Sequence, residues 1–186
     1  MSFQSWRETL IWSAVDGAAL TASTTPTSIL HASAKCALPA NFFYVGRRLT
    51  LKACGRVSNI VTAPGTLTLD VRLGGVIVAN GGAMALNIVA KTNVPWMLQW
   101  ELTCRAIGAT TTANIMHQGI WSSESVIGSA LPTAGGAGQH MLPNAAPVVG
   151  TGFDSSAAQT LDLFATWSLN NANSILCHQF ELIADN

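Results

Sequence analysis

Charge is what this sequence has least of. Nine Lys and Arg balance nine Asp and Glu over 186 residues, so charged side chains are 10% of the chain, against about 25% in an ordinary soluble domain. A neutral balance argues against nucleic acid as the main partner. Long apolar runs are missing too. The longest stretch free of Asp, Glu, Lys and Arg, Ser125 to Phe153, holds six glycines and three prolines. Despite a mean hydropathy of +0.35, no segment reads as a membrane-spanning helix, and no membrane partner is expected. Arg7 and Glu8 stand where a signal peptide needs an unbroken apolar core, so the chain reads as made and kept in the cytoplasm.

The residue patterns of common enzymes are also lacking. There is no GxSxG elbow, no HExxH, no P-loop and no GxGxxG after a strand. His31, His117, His140 and His178 are scattered, and the four cysteines (Cys36, Cys54, Cys104, Cys177) form no CxxC pair. They read as reduced structural thiols rather than as a disulfide framework or a zinc site. Asp70 and Asp162 are the one pair of carboxylates that a glycosidase mechanism would need. Pairing with Arg72, Arg105 or Lys52 on neighbouring strands is the simpler expectation. The sequence therefore predicts no catalytic residue, no cofactor and no metal. Its excess of apolar side chains calls for burial against copies of itself or within a larger assembly.

What is present is strand periodicity. From Trp96 to Ile107, Trp96, Leu98, Trp100, Leu102, Cys104 and Ala106 fall on one side and Met97, Gln99, Glu101, Thr103 and Arg105 on the other. That is the period of a strand and not of a helix. Its length, roughly 40 Å at about 3.3 Å per residue, is that of a strand crossing a whole sandwich. The same alternation marks Arg48 to Val57, Thr66 to Leu73 and Thr160 to Trp167, and strands are expected at Ala113 to Trp121 and Ser174 to Ile183. Gly74-Gly75 and Asn80-Gly81-Gly82 are expected to close hairpins, since adjacent positive φ values favour Gly and Asn. Eight to ten strands with no helix between them make an all-β fold, an antiparallel β-sandwich of jelly-roll topology. An up-and-down barrel is the alternative.

Residues 1–30 read as an N-terminal arm and residues 31–186 as the jelly-roll domain. In the arm, Phe3, Trp6 and Leu10 would line one side of a short helix, whereas Thr9 to Ser13 read equally as an edge strand. Trp6 and Trp12 would dock on the parent sandwich or reach a neighbouring subunit. Trp96, Trp100 and Trp167 belong to the core, which leaves Trp6, Trp12 and Trp121 as possible exposed platforms for a saccharide. Ser125 to Phe153 reads as a long irregular loop, suited to an interface, with one short strand near Pro147 to Thr151. Arg48, Lys52 and Arg56 recur on one outward face beside Arg47, within ten positions that contain no acid. Such a stripe either orients an acidic partner or is neutralised by Asp70 and Glu101 from neighbouring strands. The candidate partner contacts are thus Trp6, Trp12, Arg47, Arg48, Lys52 and Arg56.

Gly65 to Gly74, Trp100 to Gly108 and Ala158 to Leu182 carry a resemblance. Together these segments resemble jelly-roll virion proteins of tailed bacteriophages, over roughly Val45 to Ile183. The resemblance implies a TNF-like or C1q-like sandwich that forms a homotrimer. It would either decorate the outer capsid surface as a cement protein bound to the major capsid protein, or sit at a tail tip or fibre and bind a host-surface saccharide. The first position is the leading expectation: a virion protein made in the host cytoplasm that stabilises the shell.

Overall fold

The computed structural model describes residues 6–128 and 138–185, and strands dominate it. In chain order they are β1 (Arg7–Ser13), β2 (Leu20–Thr21), β3 (Thr27–Ser28), β4 (Cys36–Leu38), β5 (Arg48–Asn59), β6 (Thr66–Leu73), β7 (Val76–Leu86), β8 (Lys91–Ala106), β9 (Asn114–Ser122), β10 (Val126–Gly128), β11 (Gln139–Leu142), β12 (Gln159–Trp167) and β13 (Ser174–Asp185). A 3-10 turn at Ala32–Ala34 precedes β4. Sheet A has the order β1-β13-β5-β8-β9-β11, with β2 also on β13; sheet B has the order β10-β7-β6-β12-β3, with β4 also on β12.

Every pairing is antiparallel and the pairs are nested. The first strand lies on the last, β3 and β4 on β12, β5 on β8, and β6 on β7. A ribbon folded in this way and wrapped over two sheets is a jelly roll. Strands β9, β10 and β11 lie in the long connection between β8 and β12, and they extend both sheets at one side.

The core follows from the alternation. Along β8, Trp96, Leu98, Trp100, Leu102 and Cys104 are buried while Met97 and Gln99 are exposed. Leu67, Leu69, Val71 and Leu73 of β6 face Leu161, Leu163, Ala165 and Trp167 of β12 across one ladder, all fully buried. Four tryptophans are buried in this core, and three indole N–H groups find acceptors. Trp96 donates to the carbonyls of Arg56 and Leu176, Trp100 to Nδ1 of His117, and Trp167 to the carbonyl of Leu20. Tryptophan tolerates burial when its one donor is satisfied.

Three expectations change, and one open alternative is resolved. Gly74-Gly75 closes a hairpin as expected, with φ of 55° and 92°. Asn80-Gly81-Gly82 does not: β7 runs through it as one strand, and the register against β6 slips between Thr68 and Asp70. Gly82, at φ 76°, absorbs the extra residue as a bulge. Trp121 is no exposed platform; it is fully buried, stacked on Trp96. Within Ser125 to Phe153, the chain forms β10 and β11 and two isolated bridges, Met116 to Val149 and Ala113 to Phe153; residues 129–137 of that segment lie outside the described residues. Finally, residues 7–13 take the edge-strand option rather than the helix, and β2 and β3 also pair into the sandwich. Phe3 lies outside the described residues.

Candidate functional site

The outer face of sheet A carries a groove of about 580 Å³. Register places one row of side chains straight across six strands. Trp12 of β1 stands opposite Glu181 of β13, Glu181 opposite Lys52 of β5, and Lys52 opposite Gln99 of β8. Gln99 in turn stands opposite Ile120 of β9, and Ile120 opposite Met141 of β11. At about 4.8 Å per strand the row spans roughly 24 Å. The next row holds Gln179, Cys54, Met97 and Ser122. All ten line the groove.

The apolar members of this face are large and open to solvent: Met97 is 67% exposed, Trp12 63%, Met141 50% and Ile120 45%. They flank a polar centre whose charges are already compensated, with Lys52 Nζ 3.5 Å from Glu181. The face therefore combines exposed apolar side chains with a central ion pair whose two charges compensate each other.

Trp12 reaches this face through a bulge. Simple alternation would put it on the same side as Glu8, opposite Arg7 and Thr9. The β1–β13 register shifts between Thr9 and Ile11, however, so that Arg7, Thr9 and Trp12 all stand opposite outward residues of β13. Leu10 and Ile11 pack against the core instead. Bulges re-aim side chains in this way. Trp6, 61% exposed, lines a smaller groove with Arg7, Arg48, Thr50, Gln99, Glu101 and Asp185.

The basic stripe is on the outer face of β5, but most of it is paired. Arg48 binds Asp185 at 3.2 Å and lies 3.8 Å from Glu101. Asp185 also accepts from Arg7 Nε at 2.8 Å and Thr50 Oγ1 at 3.1 Å. These partners hold its carboxyl below the usual carboxylate range, although partial burial opposes them. Arg47 folds away from the stripe, its guanidinium 3.9 Å from the centre of the Phe42 ring and 5.3 Å from that of Tyr44. Arg56 is exposed and has no ion pair among the described residues. Sequence reasoning named Trp12 and Lys52 of the groove. It missed Met97, Ile120 and Met141, although outward-pointing Met97 on a strand of such regular alternation was a legible signal.

Asp70 and Asp162 lie on sheet B, away from this face. Asp162 stands opposite Arg72 in the β12–β6 ladder and is bound by Lys35 at 2.7 Å and by the Ser28 hydroxyl at 2.7 Å. Arg72 binds Asp70 on its own strand and covers the Phe164 ring at 4.0 Å. The two carboxylates are thus each held by a cation. No cluster of three or more His, Cys, Asp or Glu suited to a metal ion occurs among the described residues. The four cysteines are free; burial pushes the thiols of Cys36 and Cys104 up, and chiefly burial takes that of Cys177 to about 12.

No protein-family model matches the chain. No curated protein matches it. Among solved structures it is similar to the CBM2 module of the evolved Dit of Lactobacillus casei BL23 phage J-1, at 10% identity and a TM-score of 0.36, over 99% of this chain and 98% of that one. A likeness this loose carries no information on ligand or partner.

Proposed function

We propose that the chain is a structural protein of a tailed-bacteriophage virion: a jelly-roll decoration protein that assembles with copies of itself, as a trimer, and attaches to the outside of the capsid. The observation that carries the assembly is the outer face of sheet A, with Trp12, Met97, Ile120 and Met141 open around one groove. Five strands contributing about seven to ten residues each, with the four-residue β11 at the edge, offer on the order of 700 Å². One partner's share of a standard interface is about 800 Å². A face of that size with its charges paired within the chain suits permanent cover by protein. The low overall charge points the same way. Once attached, an oligomer that binds only the assembled shell stabilises it by mass action.

Analytical ultracentrifugation tests the assembly. The wild-type protein is expected to sediment as a trimer, and Met97→Glu, which puts an unpaired charge into the buried face, as a monomer. A wild-type monomer at micromolar concentration would sink the proposal.

One observation favours a second reading, a tail-tip receptor-binding domain. Trp12 shares the groove with the carboxamides of Gln99, Gln118 and Gln179, and an aromatic plane beside planar hydrogen-bonding groups suits a saccharide. That reading requires the groove to stay open in the oligomer, and it predicts that host-surface saccharides quench or shift tryptophan fluorescence in the wild type and not in Trp12→Ala.

A further inference from the structure

Asn80 is the one asparagine of the chain that glycine follows. It is exposed and opens the bulge at which β7 stays continuous, with Gly81 and Gly82 next in line. Its side chain is turned onto its own backbone: Oδ1 accepts from the Gly82 N–H at 2.8 Å, an Asx turn. The intervening Gly81 has no side chain to keep its nitrogen away from the Asn80 carboxamide. Packing reserves that position for glycine, since a methyl there would lie 3.1 Å from the Leu69 carbonyl oxygen, 3.2 Å from Leu142 Cδ2 and 3.3 Å from Trp100 Cη2. The Asn-Gly pair is thus tied to the packing of the core.

A carboxamide beside an unhindered backbone nitrogen is open to attack by it. Base removes the Gly81 amide proton, and the nitrogen adds to Asn80 Cγ. The charge that develops on Oδ1 in that step is met by the Gly82 N–H already bound there, as an oxyanion-hole donor would meet it. The Cγ–Nδ2 bond then breaks, Nδ2 leaves as ammonia with a proton from water, and Asn80 and Gly81 close a succinimide ring. Water opens the ring at either carbonyl. Cleavage at Cγ gives aspartate, and cleavage at the main-chain carbonyl gives isoaspartate. One water enters, one ammonia leaves, and nothing is oxidised or reduced. Asp16-Gly17 is held differently: Gly17 N–H donates to the Cys177 carbonyl at 2.9 Å, and the Asp16 carboxylate, a poor electrophile, lies 2.7 Å from His178 Nδ1.

We propose that Asn80-Gly81 is a self-modification site, deamidating within the folded chain, and that its conversion loosens the β6–β7 ladder. Asn80 stands directly opposite Asp70, which is 3% exposed and has Arg72 as its cation, Nη2 donating to Oδ2 at 3.3 Å. Opposed residues of an antiparallel pair share a face, with Cβ atoms about 4.5–5.5 Å apart, and like charges so placed repel. Asn80 is neutral there; aspartate would set two carboxylates against one guanidinium. Isoaspartate also adds a main-chain carbon at the bulge, which moves the Asn80 N–H that lies 3.3 Å from His117 Nε2. The site stands whether or not the chain belongs to a virion.

The test ages the full-length protein at 37 °C and pH 7.5 or 9, beside a sample unfolded in urea, and reads position 80 by peptide mass spectrometry with an isoaspartyl methyltransferase assay. Asn80 is expected to convert in the folded protein, several times faster at pH 9. Asn59, Asn87 and Asn173, buried and followed by Ile, Ile and Ser, should stay intact. Asn80→Gln, whose longer side chain would have to close a larger ring, should not convert. Aged protein and Asn80→Asp should both melt earlier than fresh wild type, and Asp70→Asn/Asn80→Asp should recover part of that loss, because one carboxylate then faces Arg72. Conversion in urea with none in the folded chain would overturn the site. Conversion that leaves the melting of the aged protein and of Asn80→Asp unchanged would overturn the link to Asp70.

Discussion

Trp96 and Trp121 lie stacked in the core with ring centroids 4.8 Å apart and planes 15° from parallel. They come from β8 and β9, and Trp121 stands opposite Leu98 one step along the ladder. Replacing Trp121 with Ala is expected to cost about 3–5 kcal/mol, the range for a buried aromatic. Trp121→Phe should cost less, since it also removes a buried indole N–H that has no partner among the described residues. Denaturant titration of both variants measures the difference; equal losses would mean that the bulk of the ring does not matter.

His117 links strand position to pH. It is buried between Trp100, whose Nε1 lies 3.2 Å from Nδ1, and the Asn80 N–H, 3.3 Å from Nε2. A neutral ring can accept at one of these nitrogens, and a protonated ring at neither. Burial lowers its pKa from 6.5, and burial likewise lowers that of His140. Below about pH 6.5 the unfolded chain takes up protons that the folded chain resists, so stability should be level above that value and fall as pH drops through it. Comparing denaturation midpoints at pH 7.5 and 5.5 checks this, and His117→Gln should reduce the fall. The contribution of Asp185 is lost only at lower pH, because its folded pKa lies below 3.8.

Thiol reactivity should separate the cysteines. Cys36, Cys104 and Cys177 are buried, with raised pKa values, whereas Cys54 is half-exposed beside the groove, its Sγ 3.6 Å from Gln179 Oε1. Iodoacetamide at pH 8 is expected to modify Cys54 alone in the native monomer, as read by peptide mass spectrometry. Protection of Cys54 in the wild type, together with labelling in Met97→Glu, would follow from covering the groove.

Strand β1 is part of the sandwich by its ladder to β13 and by the Arg7, Arg48 and Thr50 contacts to Asp185. Removing residues 1–15 is expected to lower the melting temperature and promote aggregation, because part of β13 then becomes an unpaired edge. Arg7→Ala should cost about 1 kcal/mol or less, as exposed ion pairs do. An unchanged melting temperature on deletion would mean that β1 is only loosely attached.

The sandwich was legible because Leu67 to Leu73, Leu161 to Trp167 and Trp96 to Cys104 keep strict alternation, and only a half-buried strand rewards that pattern. Bulges were not legible. Neither the shift near Leu10 that turns Trp12 outward nor the one at Gly82 that keeps β7 continuous leaves a periodic trace, since both depend on the partner strand. The fate of Trp121 was hidden for a related reason: its face follows from the register of β9 on β8, not from its own neighbours. The pairing of the basic stripe required knowing that β13, with Glu181 and Asp185, lies beside β5. Long-range order of that kind, joining residues more than a hundred positions apart, is set by the whole topology.

The proposed place of this chain in a virion shell is tested most directly by its copy number. Quantitative mass spectrometry of virions purified from its source should find it in numbers approaching those of the major capsid protein. A handful of copies per particle would move it to the tail, and absence from the particle would contradict the account altogether.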